Sequence, residues 1–235
     1  MCIKAKTNIC VFLAATVLIS IVSSSNTHLY SHEPKNLQSR VEEFVHARYF
    51  HGVPYFEAKK LDIKALPILK AMLEDTLQVE YWPTIIMTIG FIGEDSTVDI
   101  LVDFIENRFE GEVSVNQFGA LLTVNCALGH IASGGSERAL EYLAKACYVK
   151  RWLAKELKWY YGNYSGEKLA ILLAKIGVNG LSFSGTDRAK EILNDLQKNP
   201  ESAKSAIDLK YNIEEGLVRI RRLQEEGTMN FFGGQ

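Results

Sequence analysis

Apolar residues recur along this chain at the three- and four-residue spacing of helices, and the helices come in pairs. Residues 82–91 carry Ile85, Ile86 and Ile89 on one face, and residues 96–107 answer with Val98, Leu101, Phe104 and Ile105. The next pair spans 118–131 and 137–148. The ends of these segments repeat. Ile89-Gly90-Phe91-Ile92-Gly93 precedes Glu94-Asp95-Ser96-Thr97-Val98, and Leu128-Gly129-His130-Ile131-Ala132 precedes Ser136-Glu137-Arg138-Ala139-Leu140. Ile176-Gly177 precedes Thr186-Asp187-Arg188-Ala189-Lys190. Recurrence at about 40 to 50 residues is the mark of stacked helical hairpins. The alignment brings Leu101, Leu143 and Leu193 into register, and an earlier segment, 62–69, joins with Ala65 opposite Thr97 and Leu69 opposite Leu101.

The punctuation agrees with the pattern. Pro67 and Pro83 fall in first turns, where amides have no intrahelical acceptor. Ser136 and Thr186, each followed by an acid, suit helix N-caps. Gly90, Gly129 and Gly177 let neighbouring helices pack closely or cap a helix. Gly177 opens a glycine-containing stretch, 177–185, that reads as a lengthened turn. A first helix covers 37–50, closed by Gly52 and Pro54. A last one, 201–226, carries a single apolar stripe through Leu209, Ile213, Leu217, Ile220 and Leu223 and otherwise bears charge, as the cap of a stack requires. Residues 227–235 read as a flexible tail.

A helix ending in Leu/Ile-Gly-x-Ile, a short turn, an acid, Ala or Val, and Leu three residues on resembles a HEAT repeat, in particular the short bacterial HEAT-like repeats associated with phycobilisome lyases. The resemblance covers about residues 52–197 and implies an all-α fold: a right-handed α-solenoid of about four hairpins with a long C-terminal capping helix. It also implies protein interaction. Some hydroxylases of similar repeat type hold two irons with paired His-Glu motifs. Here His32-Glu33 lies outside the repeats, and the other histidines are scattered.

The N-terminus stands apart from this pattern. Lys4 and Lys6 precede an uncharged run, residues 9–22, followed by Ser23, Ser24 and Ser25. That order reads as a secretory signal over 1–24, with a linker over 25–36 and the repeat domain over 37–226. The run is shorter than the about 20 residues of a membrane span. An uncleaved membrane anchor at 9–22 is the alternative to a secreted or periplasmic chain. Bilin lyases act inside the cell, so export argues against that role. The net charge of −2 leaves no electrostatic footprint for nucleic acid. Cys126 and Cys147 lie in neighbouring helices and are either a disulfide or two small buried apolar residues.

Chemistry-bearing clusters are few. Asp99, Asp103 and Glu106 form a row with the spacing of a solvated helix face. His130, at a helix end, is expected to meet terminal carbonyls. No metal or cofactor is expected, because no His, Asp or Glu cluster has ligand spacing. The aromatic insert at 149–168 interrupts the repeat period. Read as a helix, it places Trp152 and Trp159, seven residues apart, on one face beside Lys155 and Lys158, with Tyr160 and Tyr164 following. Trp152, Lys155, Trp159, Tyr160 and Tyr164 are therefore the candidate contacts to a protein or peptide partner. Burial of the same rings in the core is the competing reading. Asn163-Tyr164-Ser165 is also a glycosylation sequon. The expected function is an exported, non-catalytic binding scaffold; the alternative is an enzyme or small-molecule carrier with a pocket beside the insert. The hairpin register predicts that Leu143→Ala opens a cavity and costs about 2–5 kcal/mol in chemical denaturation; a loss below about 0.5 kcal/mol would put Leu143 on the surface.

Overall fold

In the computed structural model, residues 36–50, 52–159 and 164–233 are described. The signal and linker assigned to 1–35 lie outside them. The described chain is helical almost throughout. In order it forms α1 (Leu37–His46), α2 (Tyr55–Lys59), α3 (Leu66–Glu74), α4 (Trp82–Ile92), α5 (Val98–Asn107), α6 (Val115–Ser133), α7 (Glu137–Ala146) and α8 (Val149–Leu153). Two short strands, β1 (Lys158–Trp159) and β2 (Tyr164–Ser165), pair antiparallel. Then come α9 (Glu167–Phe183), α10 (Asp187–Lys198), α11 (Ala203–Glu226) and α12 (Thr228–Gly233). Among the described residues no helix is long and apolar enough to cross a membrane.

The helices pack in sequence order. α4 lies against α6, α6 against α9, and α9 against α11; behind them α5 meets α7, and α7 meets α10. The core runs between these two rows. Leu101, Leu143 and Leu193, one from each of α5, α7 and α10, are fully buried. Cap residues also hold their expected roles. Ser136 Oγ accepts the Ala139 amide at 3.2 Å, and Thr186 Oγ1 accepts the Ala189 amide at 3.1 Å. Each relieves an amide that the first helical turn leaves without a carbonyl. Pro67 and Pro83 stand in the first turns of α3 and α4.

Three boundaries differ from the sequence expectation. The first helix, expected over 37–50, ends at His46, where Ala47 turns extended. α6 begins at Val115, because Ser114 and Gln117 form a reciprocal capping box: each side chain accepts the other's amide, at 2.8 and 3.3 Å. α9 does not end near Gly177 but continues to Phe183. Gly177 and Gly180 are interior helix positions where backbones nearly touch. A Cβ at Gly177 would lie 2.6 Å from the Ala146 carbonyl oxygen, and one at Gly180 would overlap that of Asn125. A Cβ at Gly129 would overlap the carbonyl of Gly180, and one at Gly90 would lie 2.6 Å from the Cα of Ala127. Packing against α6 and α7 thus outweighs the glycine penalty of about 1 kcal/mol per residue and keeps the helix going. The turn comes later, at Gly185, whose φ of +64° is the left-handed conformation glycine favours.

The C-terminal extension also differs. Within the tail assigned to 227–235, Thr228–Gly233 is a helix, joined to α11 at Gly227 (φ +78°) and lying against α2. Cys126 and Cys147 are free, with Cys147 Sγ 3.2 Å from the Leu143 carbonyl oxygen.

The glycine contacts predict opposite signs for two chemically identical changes. Gly180→Ala should destabilise by about 1–3 kcal/mol, because its methyl meets backbone that cannot yield. Gly119→Ala, whose methyl would rest 3.4 Å from the Pro83 ring, should instead stabilise by up to about 1 kcal/mol through helix propensity. Urea unfolding of both variants checks the pair.

Candidate functional site

The aromatic insert is not one helix. α8 ends at Leu153, Glu156 takes a left-handed φ of +50°, and the chain then runs extended through Lys158 and Trp159. Trp152 and Trp159 therefore share no helix face. The extended segment is anchored on the α5–α6 connection: the Lys158 amide donates to the Gly111 carbonyl at 2.8 Å, and the Val113 amide donates to the Lys158 carbonyl at 2.9 Å. These backbone bonds are the reason that the helical period stops.

Trp152 is 2% exposed, and its indole N–H donates to the Ala146 carbonyl at 2.7 Å. It is a core residue with no surface to offer a partner, which corrects its assignment as a contact. Trp159 is half-buried and stacks on Phe118, with ring centroids 3.7 Å apart and planes 6° from parallel. Tyr164 pairs through its backbone with Trp159, and Tyr160 lies outside the described residues.

Lys155 turns inward. Its ammonium lies 2.9 Å from the Glu106 carboxylate and donates to the Glu106 carbonyl at 3.1 Å. The Arg151 guanidinium and the Tyr142 hydroxyl each reach the same carboxylate at 2.6 Å. Burial would raise the Glu106 pKa, but the hydrogen bonds from Tyr142 and Lys155 and the charges of Arg151 and Lys155 outweigh it and hold it below the ordinary value. Burial and the bond to Glu106 push the Tyr142 hydroxyl upward. At the other end of the insert, the Glu201 carboxylate accepts the Val149 amide at 2.9 Å and the Lys150 amide at 3.3 Å. Of the acidic row, Glu106 is thus a structural anchor and Asp99 an ion-pair partner of Arg138. The insert fastens α5, α7 and the start of α11 together.

A second constellation forms where the ends of α4, α6 and α9 lie side by side. Phe91, His130 and Phe183 come from these helices, Tyr55 from α2, and Phe232 from α12. The His130 ring centroid lies 4.6 Å from that of Phe91, 6.2 Å from Tyr55, 5.6 Å from Phe183 and 4.4 Å from Phe232. A cation stands at each end of the row. The Lys59 ammonium is 5.7 Å from the Tyr55 ring centroid, and the Arg219 guanidinium is 4.8 Å from that of Phe183. Arg219 also donates to Ser182 Oγ at 2.5 Å.

The electrostatics of the row are unusual for a folded interior. His130 is 8% exposed, and its Nδ1 has no hydrogen-bond partner among the described residues. It does not meet terminal carbonyls as its place in the sequence suggests. Burial, helped by the positive Lys59, pushes its pKa down to about 3, so the ring is neutral. Desolvation lowers the pKa of Lys59 and of Arg219 as well. Cys126, one turn before His130, is pushed up to about 11 by burial and stays a thiol. Rings that accept apolar or aromatic groups and cations that accept carboxylates suit this row to recognition.

The sequence carried a signal for this row. In both Ile89-Gly90-Phe91-Ile92 and Leu128-Gly129-His130-Ile131 the residue after the glycine bears a ring. Phe183 and Phe232 carry no such mark, because their places depend on how far α9 runs and where the tail docks. Among the described residues, no His, Cys, Asp and Glu side chains gather as a metal site. A mostly apolar cavity of about 240 Å3 lies beside the start of the insert, lined in part by Cys147, Tyr148, Leu196, Glu201 and Leu209.

The chain matches no family model, no curated protein and no solved structure.

A histidine held neutral predicts acid sensitivity. The unfolded chain takes up a proton on His130 below its ordinary pKa of 6.5, whereas the folded chain resists until about 3. The stability from the neutral ring is complete above that ordinary value and drains away as pH falls through the window between the two. Between about pH 7 and about pH 5 the unmodified chain should lose about 2 kcal/mol more than His130→Phe, measured by urea unfolding at each pH.

Proposed function

We propose that this chain is an exported α-solenoid of HEAT-like hairpins that binds a peptide segment of a partner protein and performs no catalysis. The ordered packing of α4, α6, α9 and α11, backed by α5, α7 and α10, supports the solenoid. The signal pattern at 1–24 supports a secreted or periplasmic location. One observation carries the binding role: the ring row already holds a piece of polypeptide, the side chain of Phe232 from α12. A surface that accepts its own chain between aromatic walls has the chemistry to accept another. The insert, drawn inward by Glu106 and stacked on Phe118 at the start of α6, takes no part in this surface.

Selection of a random peptide library on the immobilised full-length chain tests the reading. The expected outcome is a set of enriched peptides whose binding raises protection from hydrogen exchange at the ends of α4, α6 or α9. Absence of any enriched peptide would overturn it. The cavity beside the insert favours a second reading, a carrier of a small apolar molecule. Displacement of a bound environment-sensitive dye by such molecules, with loss on Leu209→Trp, would support the carrier instead.

A further inference from the structure

We infer that the row Lys59–Tyr55–His130–Phe183–Arg219 is the ligand site, that its ligand is a peptide segment with an aromatic residue beside carboxylates, and that α12 is an internal competitor for it. The inference rests on the peptide-binding reading and adds the chemistry of the ligand and its regulation.

The tail fills the apolar half of this site. The Phe232 centroid stands 5.8 Å from that of Tyr55, 4.4 Å from that of His130 and 5.9 Å from that of Phe183, so one ring lies against three rings of the row. Among the described residues the polar half stays unmet. Neither Lys59 nor Arg219 has a carboxylate within ion-pair distance among the described residues; Glu215 acts on Arg219 only from farther away. Other cations of the molecule do find such partners, Lys204 with Glu167 and Arg222 with Glu226. The described part of α12 brings no acid to the row, and the His130 Nδ1 also lacks a partner. Two partly desolvated cations flanking aromatic rings complement a segment that supplies both a ring and negative charge. An aromatic residue next to Asp or Glu, or an aromatic residue at a free C-terminus, meets both needs. Phe232 meets one.

The tail is also built to leave. It joins α11 at Gly227, which has open space around it and a φ that other residues rarely adopt. The hydrogen bonds of α12 close within the junction: the Phe231 amide donates to the Gly227 carbonyl at 3.0 Å, and Asn230 Nδ2 donates to the Glu226 carbonyl at 2.9 Å. The Phe231 ring rests under Arg222 at 5.0 Å, which belongs to α11 and can accompany it. Among the described residues its hold on the molecule beyond α11 is therefore aromatic contact, and a ligand with a better-matched ring and charge displaces it without breaking a backbone ladder. A ligand competing with such a segment binds with its affinity reduced by the fraction of time the site is free.

The test uses full-length protein and a dye-labelled peptide, Glu-Glu-Phe-Phe with a free C-terminal carboxylate, followed by fluorescence anisotropy. Phe232→Ala should lower Kd about tenfold, as for a site that the tail leaves free about one-tenth of the time. In that background Arg219→Gln or Lys59→Gln should each raise Kd about threefold or more, and the neutral amide Gln-Gln-Phe-Phe should bind correspondingly worse. On the unmodified chain, saturation with the acidic peptide should speed hydrogen exchange in residues 228–233. That measurement decides the matter if Phe232→Ala loses its helical circular dichroism. An unchanged Kd in a folded Phe232→Ala chain overturns the inference, as does equal binding of the neutral peptide or unchanged tail exchange at saturation. A dimer of the unmodified chain that Phe232→Ala abolishes would give the site to a second copy's tail and also overturn it. Library peptides that bind elsewhere, indifferent to Arg219→Gln, would leave the peptide-binding reading standing while sinking this one.

Discussion

Backbone contact through glycine sets the spacing on which the rest of this molecule depends. Gly90 faces Ala127, Gly129 faces the carbonyl of Gly180, and Gly180 faces the carbonyl of Asn125. These contacts bring α4, α6 and α9 closer than side chains would allow, since ordinary helix pairs stand about 8–10 Å apart depending on the residues between them. Close spacing has a consequence at the helix ends. It carries Phe91, His130 and Phe183 into ring contact, so the aromatic row is a product of the same glycines that build the stack. A core packed against backbone also has little room to relax, and displacement at one helix passes to the next.

The second constraint is the Glu106 carboxylate. It collects Arg151, Lys155 and the Tyr142 hydroxyl in a partly buried site, with Trp152 sealing the interior beside it. Charges taken from water repay their desolvation only where several good hydrogen bonds satisfy them. Here the Glu106 carboxylate is so satisfied, although Arg151 Nε has no partner among the described residues, and the gain is geometric. The network ties residues 151–155 to α5 and α7. Aromatic and basic composition, which on a free surface would suggest recognition, serves here as internal fastening.

At the ring row the balance is reversed. A buried imidazole nitrogen without a partner costs on the order of 1–3 kcal/mol, and cations held near rings lose part of their hydration. Folded proteins keep such deficits where function uses them, while satisfying their polar groups elsewhere. The Glu106 carboxylate is met by several donors, whereas the His130 Nδ1 has no partner among the described residues.

The periodic apolar pattern by itself determined the helical class and the burial of Leu101, Leu143 and Leu193, because a side chain's face on a helix follows from spacing alone. Short-range chemistry likewise determined the caps at Ser136 and Thr186 and the place of Pro83. Tertiary structure decided everything that depends on what comes from far away. It carried α9 through Gly177 and Gly180, where local propensity would have ended it, because backbone packing supplied more than the glycines cost. It broke the insert into a helix and a ribbon, because Gly111 and Val113 offered hydrogen bonds to Lys158. It buried Trp152 and turned Lys155 inward, because Glu106, remote in sequence, lay behind them. It joined Tyr55, His130 and Phe232 from separate parts of the chain into one row. Helical periodicity reports which side of a helix faces inward; only the folded packing of distant segments says what it faces.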